Sequence, residues 1–159
     1  MPKKAGPKES FIRIDLPSNI YQLSEQGLKG TIHLQVDASL ESYDVIEMEM
    51  IGVEETKWVA EKRKPKGEFA FFHQKHVLFQ FPPEWKDRAG QYNLPFTIRL
   101  PGNLPSSLSY IHPGVCGAQV QYSLMARFKQ SNPLGIAIVQ AKVLECELPF
   151  FLVRPLARP

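Results

Sequence analysis

Along most of the chain, apolar and polar residues alternate with a period of two, which puts successive side chains on opposite faces of a strand. The clearest run is Ala118, Val120, Tyr122, Leu124, Ala126 and Phe128 against Gln119, Gln121, Ser123, Met125, Arg127 and Lys129. The same rhythm predicts a strand over 11–16, with Ile12, Ile14 and Leu16 inward, and another in which Ile32, Leu34 and Val36 oppose Thr31, His33 and Gln35. In 43–55, Ile46, Met48 and Met50 alternate with Glu47 and Glu49, and Gly52 interrupts the pattern where a bulge or close packing is expected. Residues 56–62 continue that strand with Trp58 as a large apolar anchor. A basic turn at 63–67 reverses it, and 69–81 returns with Val77, Phe79 and Phe81 inward, a long hairpin with a basic tip.

Between two prolines, Leu94, Phe96, Ile98 and Leu100 alternate with Asn93, Pro95, Thr97 and Arg99. Pro95 has no amide hydrogen, so the hydrogen-bond ladder cannot be complete there. Pro101, Gly102, Asn103 and Pro105 then end the strand and force a turn-rich connection. A bend is expected at 21–29, around Ser24, Glu25 and Gly27, and a loop at 109–117, around Pro113 and Gly114. A turn at 131–135 should let 136–153 pair back on the strand before it. No ten residues carry a helical period. Eight or so short strands joined by turns predict an all-β protein, a two-layer antiparallel β-sandwich with little or no helix.

Composition agrees. A chain of 159 residues, 43% of them hydrophobic, has the length of one domain, and a chain this size buries about 68–70% of the surface it exposes when unfolded. Its 14 prolines and 10 glycines, spread throughout, imply many reversals. No run of eighteen apolar residues and no secretory leader is visible, so a cytoplasmic protein is expected. Two cysteines, Cys116 and Cys146, are too few for a disulfide scaffold and fit a reducing compartment; the sequence leaves their pairing open.

The formal charge of +3 hides a division. Lys3, Lys4 and Lys8 stand at the start with no acid, and Lys57, Lys62, Arg63, Lys64 and Lys66 cluster near the hairpin tip. Residues 41–55 hold six acids and no base. Basic clusters attract phosphate, acidic peptide or membrane headgroups, although a solvated tail and loop is the plainer reading of each.

Catalytic chemistry finds little support. Glu47 and Glu49 share a strand face, as a carboxylate pair would, but alternating glutamates on the wet side of a strand are ordinary patterning. His33, His73, His76 and His112 are scattered; His73 and His76, three apart on a strand, point to opposite faces and should not share a metal. Ser106 and Ser107 lie near His112 without a strand-to-helix nucleophile turn. No glycine-rich phosphate loop is present. Neither catalysis nor a metal or other cofactor is expected.

Four stretches carry a resemblance. Gly90-Gln91-Tyr92, Pro95-Phe96-Thr97-Ile98-Arg99-Leu100-Pro101 and Asn103-Leu104-Pro105-Ser106-Ser107 together form the first, which resembles the Pro-Phe strand and following turn of the arrestin family. Tyr21, Ser24-Glu25 and Gly30 are similar to an early Tyr, Gly-Glu, Gly pattern of that family, with Ser24 in place of its usual glycine. Gly52 to Trp58 and Val120-Gln121-Tyr122-Ser123-Leu124-Met125-Ala126 resemble two further strands in order and spacing. The resemblance extends from Phe11 to Val153 and implies the immunoglobulin-like amino-terminal lobe of an arrestin. Residues 1–10 are then a flexible basic start, 11–153 the sandwich, and 154–159 the beginning of a linker to a second lobe of a longer protein.

The receptor arrestins place an amphipathic helix before the Pro-Phe strand, and 85–93 is too short and polar for one, so the match is nearer to the α-arrestins, or arrestin-domain-containing proteins. Pro82-Pro83-Glu84-Trp85 ends in tryptophan, not in the tyrosine of a ligase-recruiting Pro-Pro-x-Tyr motif, and fits a strand terminator. The resemblance implies a non-catalytic adaptor at the plasma membrane or endosomes, binding cytosolic tails of receptors or transporters. Ubiquitin ligase or coat components would be reached through regions outside this chain; peripheral membrane contact fits, and no nucleic acid is expected. Phosphate or acidic groups would be held by Lys3, Lys4, Lys8, Arg13, Lys62, Arg63, Lys64 and Lys66. The alternatives are a retromer-like coat subunit of the same fold and a sandwich hydrolase or sugar-binding domain.

Overall fold

The structure, a computed structural model, describes residues 9–38, 42–58, 66–85, 87–112, 116–130 and 144–155. These form nine strands: β1 (Phe11–Asp15), β2 (Ile20–Gln22), β3 (Leu28–Val36), β4 (Val45–Trp58), β5 (Lys66–Gln80), β6 (Gly90–Ile98), β7 (Leu108–His112), β8 (Cys116–Lys129) and β9 (Leu144–Val153). They make a small sheet, β1-β3-β6, and a large one, β2-β9-β8-β4-β5, in which β7 also pairs with β8. No α-helix occurs among the described residues, and no helix there is long and apolar enough to cross a membrane.

The two sheets bury the faces that the alternation assigns. Ile12, Ile14, Ile32, Leu34, Val36, Phe96 and Ile98 of the small sheet join Ile46, Met48, Met50, Leu124, Ala126, Phe128, Phe150 and Leu152 of the large one in a single core. Each large apolar side chain so buried is worth about 1.5–3 kcal/mol, more than an exposed ion pair at roughly 0–1 kcal/mol. Apolar pattern therefore sets strand register. Pro95 lies on β6, an outer strand of the small sheet, where a missing amide hydrogen is tolerated. Gly30 is held by close approach, since a Cβ there would stand 2.6 Å from Phe96 Cζ and 2.8 Å from the Asp15 carbonyl oxygen.

The stretch after β6 is a clasp. Ser107 N–H donates to the Leu152 carbonyl at 2.7 Å, and Ser107 Oγ accepts from Leu152 N–H at 2.8 Å. Ser106 Oγ accepts from Arg154 N–H at 3.0 Å. The Tyr122 hydroxyl, its pKa pushed up to about 12 by burial, donates to the Pro105 carbonyl. The connection leaving the small sheet is thereby tied to the large one.

Several expectations need correction. Val77 is 64% exposed. Register shifts between Ile46 and Glu47, so Phe79 opposes Ile46 while Val77 opposes Glu47; the extra residue, Leu78, turns Val77 outward while Phe81 stays buried. A second shift follows Gly52, where the glycine pattern predicts one. The expected loop at 109–117 is largely the hairpin of β7 with β8, Leu108 opposing Val120 and His112 opposing Cys116. The expected bend at 21–29 begins in β2, which runs parallel to β9, so the large sheet is mixed at that pair. Cys146 opposes Ala126, ten residues along β8 from Cys116, a separation on the order of 30 Å that no disulfide spans. Cys146 is a free thiol. The side chain of Trp58, the turn at 131–135 and residues 136–143 lie outside the described residues.

Candidate functional site

Of the predicted anion-binding residues, Lys3, Lys4, Lys8, Lys62, Arg63 and Lys64 lie outside the described residues, and only the backbone of Lys66 is described, at the start of β5. Arg13 is placed fully. It sits at the middle of β1, on the exposed face, between exposed Phe11 and Asp15. Arg13 and Lys66 are on different sheets.

Period two puts Arg13 on the outer face because Ile12 and Ile14 are drawn into the core. Opposite it on β3 stands His33, and opposite His33 on β6 stands Asn93. His33 Nδ1 lies 2.6 Å from Asn93 Oδ1 and its Nε2 lies 3.4 Å from Asp15 Oδ2. The acid nearest in sequence to Arg13 is therefore turned toward His33, and Arg13 has no ion-pair partner among the described residues. Among the described residues β1 has a strand neighbour on one side only, so Arg13 stands on a strand whose other edge is open there. A shallow depression of about 270 Å³ ends this face, lined by Asp15, Leu16, Pro17, Lys29, Gly30 and Thr31.

The outer face of the large sheet is different. Glu47 and Glu49, the carboxylates read as wet-side patterning, do lie on that face, but Glu47 is only 7% exposed. Lys129 Nζ stands 2.6 Å from Glu47 Oε2. Lys75 Nζ stands 3.0 Å from Oε1, a charge contact made without hydrogen-bond alignment. Arg127 donates to Glu49, which His73 also contacts, and Arg127 Nε reaches Glu145 at 3.4 Å. Burial pushes the Glu47 carboxyl up, but the Lys129 and Lys75 ammonium groups outweigh it and hold the group below its ordinary range. Hydrogen bonding from Arg127, opposed by burial and aided by His73, does the same for Glu49. Hydrogen bonding to Glu49 raises the pKa of Arg127.

These cations are therefore committed to internal acids and offer little to an outside anion. The lattice was not picked out from the sequence, although its signal is there: the acids of β4 face Arg127 and Lys129 of β8 and His73 and Lys75 of β5. Finding it needs the register between strands that are distant in sequence. His73 and His76 do point to opposite faces, His73 meeting Glu49 outside and His76 opposing buried Met48. Among the described residues no group of three or more His, Cys, Asp and Glu could hold a metal ion.

No protein-family model and no curated protein matches the chain. Among solved structures it is similar to Spo0M, a sporulation control protein from Bacillus subtilis, with a TM-score of 0.52 and 12% identity over 90% of this chain and 49% of that one. The fold is arrestin-like. At this identity the likeness carries architecture alone, and this arrestin-like chain spans about half the length of Spo0M.

Proposed function

We propose that this domain is a non-catalytic adaptor that holds acidic or phosphorylated extended segments from the cytosolic tails of membrane proteins. The observation that carries the reading is Arg13, an exposed guanidinium without an ion pair among the described residues, beside the open edge of β1 in an arrestin-like sandwich. A tail lying along that edge gains main-chain hydrogen bonds from β1, and its phosphate or carboxylate gains charge-assisted bonds from Arg13. The lysines at 3, 4 and 8 precede β1 in sequence, and those at 62, 64 and 66 with Arg63 add positive charge at the hairpin. Within the fold we place the chain nearer to the arrestin-domain-containing proteins, a reading supported by the turn and irregular chain at 83–85 and 87–89, where the receptor arrestins carry a helix. Such an adaptor works at the plasma membrane or endosomes, with ligase or coat contacts made elsewhere in a longer protein.

Titration of matched phosphorylated and unphosphorylated tail peptides across a salt series tests this. Affinity for the phosphorylated peptide should exceed that for its partner and fall as salt rises. Equal affinities, or binding that ignores salt, reject the reading.

A further inference from the structure

The strands of the large sheet outrun the small one. β4, β5 and β8 are 14, 15 and 14 residues long, against 9 for β3 and β6, about 50 Å against about 30 Å. Beyond the core the inner face continues on the same side of β4, from Met48 and Met50 to Gly52, Glu54 and Thr56, because β4 and β8 pair without a shift. One row across four strands reads Phe69, Glu54, Val120, Leu108, and the next reads Gly67, Thr56, Ala118, Tyr110. No described residue covers them: Phe69 is 64% exposed, and Leu108 and Tyr110 are each 52% exposed.

We propose that this uncovered inner face is a docking site for one amphipathic helix of a partner protein, seated on Phe69, Val120, Leu108 and Tyr110 and paired through a lysine or arginine with Glu54. Size favours a single helix. Two rows on four strands present on the order of 300 Å², well below the roughly 800 Å² per partner of a stable dimer and close to the footprint of three or four helical turns. Backbone chemistry favours it as well, because a helix satisfies its own amides and carbonyls, whereas a lone strand laid on a sheet face leaves its own unpaired. Charge sets the polarity. Glu54 is exposed between Phe69 and Val120 and makes no ion pair among the described residues, so the matching helix carries a cation within its apolar stripe. The inference does not rest on Arg13 or the edge of β1, which belong to the other sheet.

The test is selection of a displayed library of random 16-residue peptides on the full 159-residue chain, with the winning peptide then titrated by fluorescence anisotropy. Winners should show apolar residues at i, i+3, i+4 and i+7 with a central Lys or Arg. Phe69→Ser with Leu108→Ser should weaken binding at least tenfold with melting unchanged, since both positions are exposed. Glu54→Lys should weaken the basic peptide tenfold and favour its acidic counterpart, which keeps the test open if the double variant folds poorly. The proposal is overturned by winners with a strand-like period, by binding indifferent to Glu54→Lys, by the absence of winners, or by a dimer in sedimentation equilibrium that the double variant abolishes.

Discussion

Two outer faces of one sandwich, built by the same alternation, end up with opposite electrostatic character. On the large sheet, Glu47 and Glu49 are flanked by strands bearing Lys75, His73, Arg127 and Lys129, and the cations are consumed by neighbours 2.6–3.4 Å away or closer. On the small sheet, Asp15 turns to His33 and Arg13 is left toward solvent beside an open edge. A count of cations alone would rank the large sheet as the more basic surface, since it carries Lys75, Arg127 and Lys129. Pairing reverses the ranking: what a surface offers a ligand is the charge left after its own ion pairs are made.

The largest effect should come from removing an acid at the centre of the lattice. Glu47→Ala leaves Lys75 and Lys129 facing each other over a poorly solvated position, and should cost about 2 kcal/mol in urea denaturation, less than a fully buried pair because the lysines reach solvent. Next is the binding role of Arg13: Arg13→Glu should weaken a phosphorylated tail peptide about tenfold in calorimetric titration, or about 1.4 kcal/mol. A loss of equal size for the unphosphorylated peptide would break the contrast between the faces.

Smaller is the pH dependence. The folded pKa values of Glu47 and Glu49 lie below the ordinary 4.5, so their stabilisation is complete above that value and is lost as pH falls through the folded values. Thermal melting of the native protein should therefore decline, as pH falls below the ordinary glutamate value of 4.5, more steeply than that of Glu49→Gln. The smallest expected effect is on Arg13 itself: Arg13→Ala should shift stability by less than about 0.5 kcal/mol, because nothing described leans on it. A larger loss would mean that Arg13 serves the fold.

Fold class was legible because each inner position of Ile12 to Ile14, Ile32 to Val36, Ile46 to Met50 and Tyr122 to Phe128 is apolar and each opposite one mostly polar. Val77 was misplaced because a bulge shifts the period within one strand without changing composition, and only its partner Ile46 shows where the extra residue falls. The sequence reads β7 as loop because proline and glycine mark a turn equally well inside a hairpin or a longer connection.

By itself, then, the sequence determined most of the residues that face the core, that the layers are sheets, and that Asn103 to Ser107 is a connection. Those follow from local period, proline and glycine, each of which acts within a few residues. Tertiary structure alone decided that Glu47 is buried under two lysines, that Arg13 has no ion pair among the described residues, that Cys116 and Cys146 are kept apart, and that Phe69, Leu108 and Tyr110 share an exposed face. Each depends on which strands lie side by side and how far one sheet overhangs the other. Such distances are set between residues far apart in the chain, and no window along it contains them.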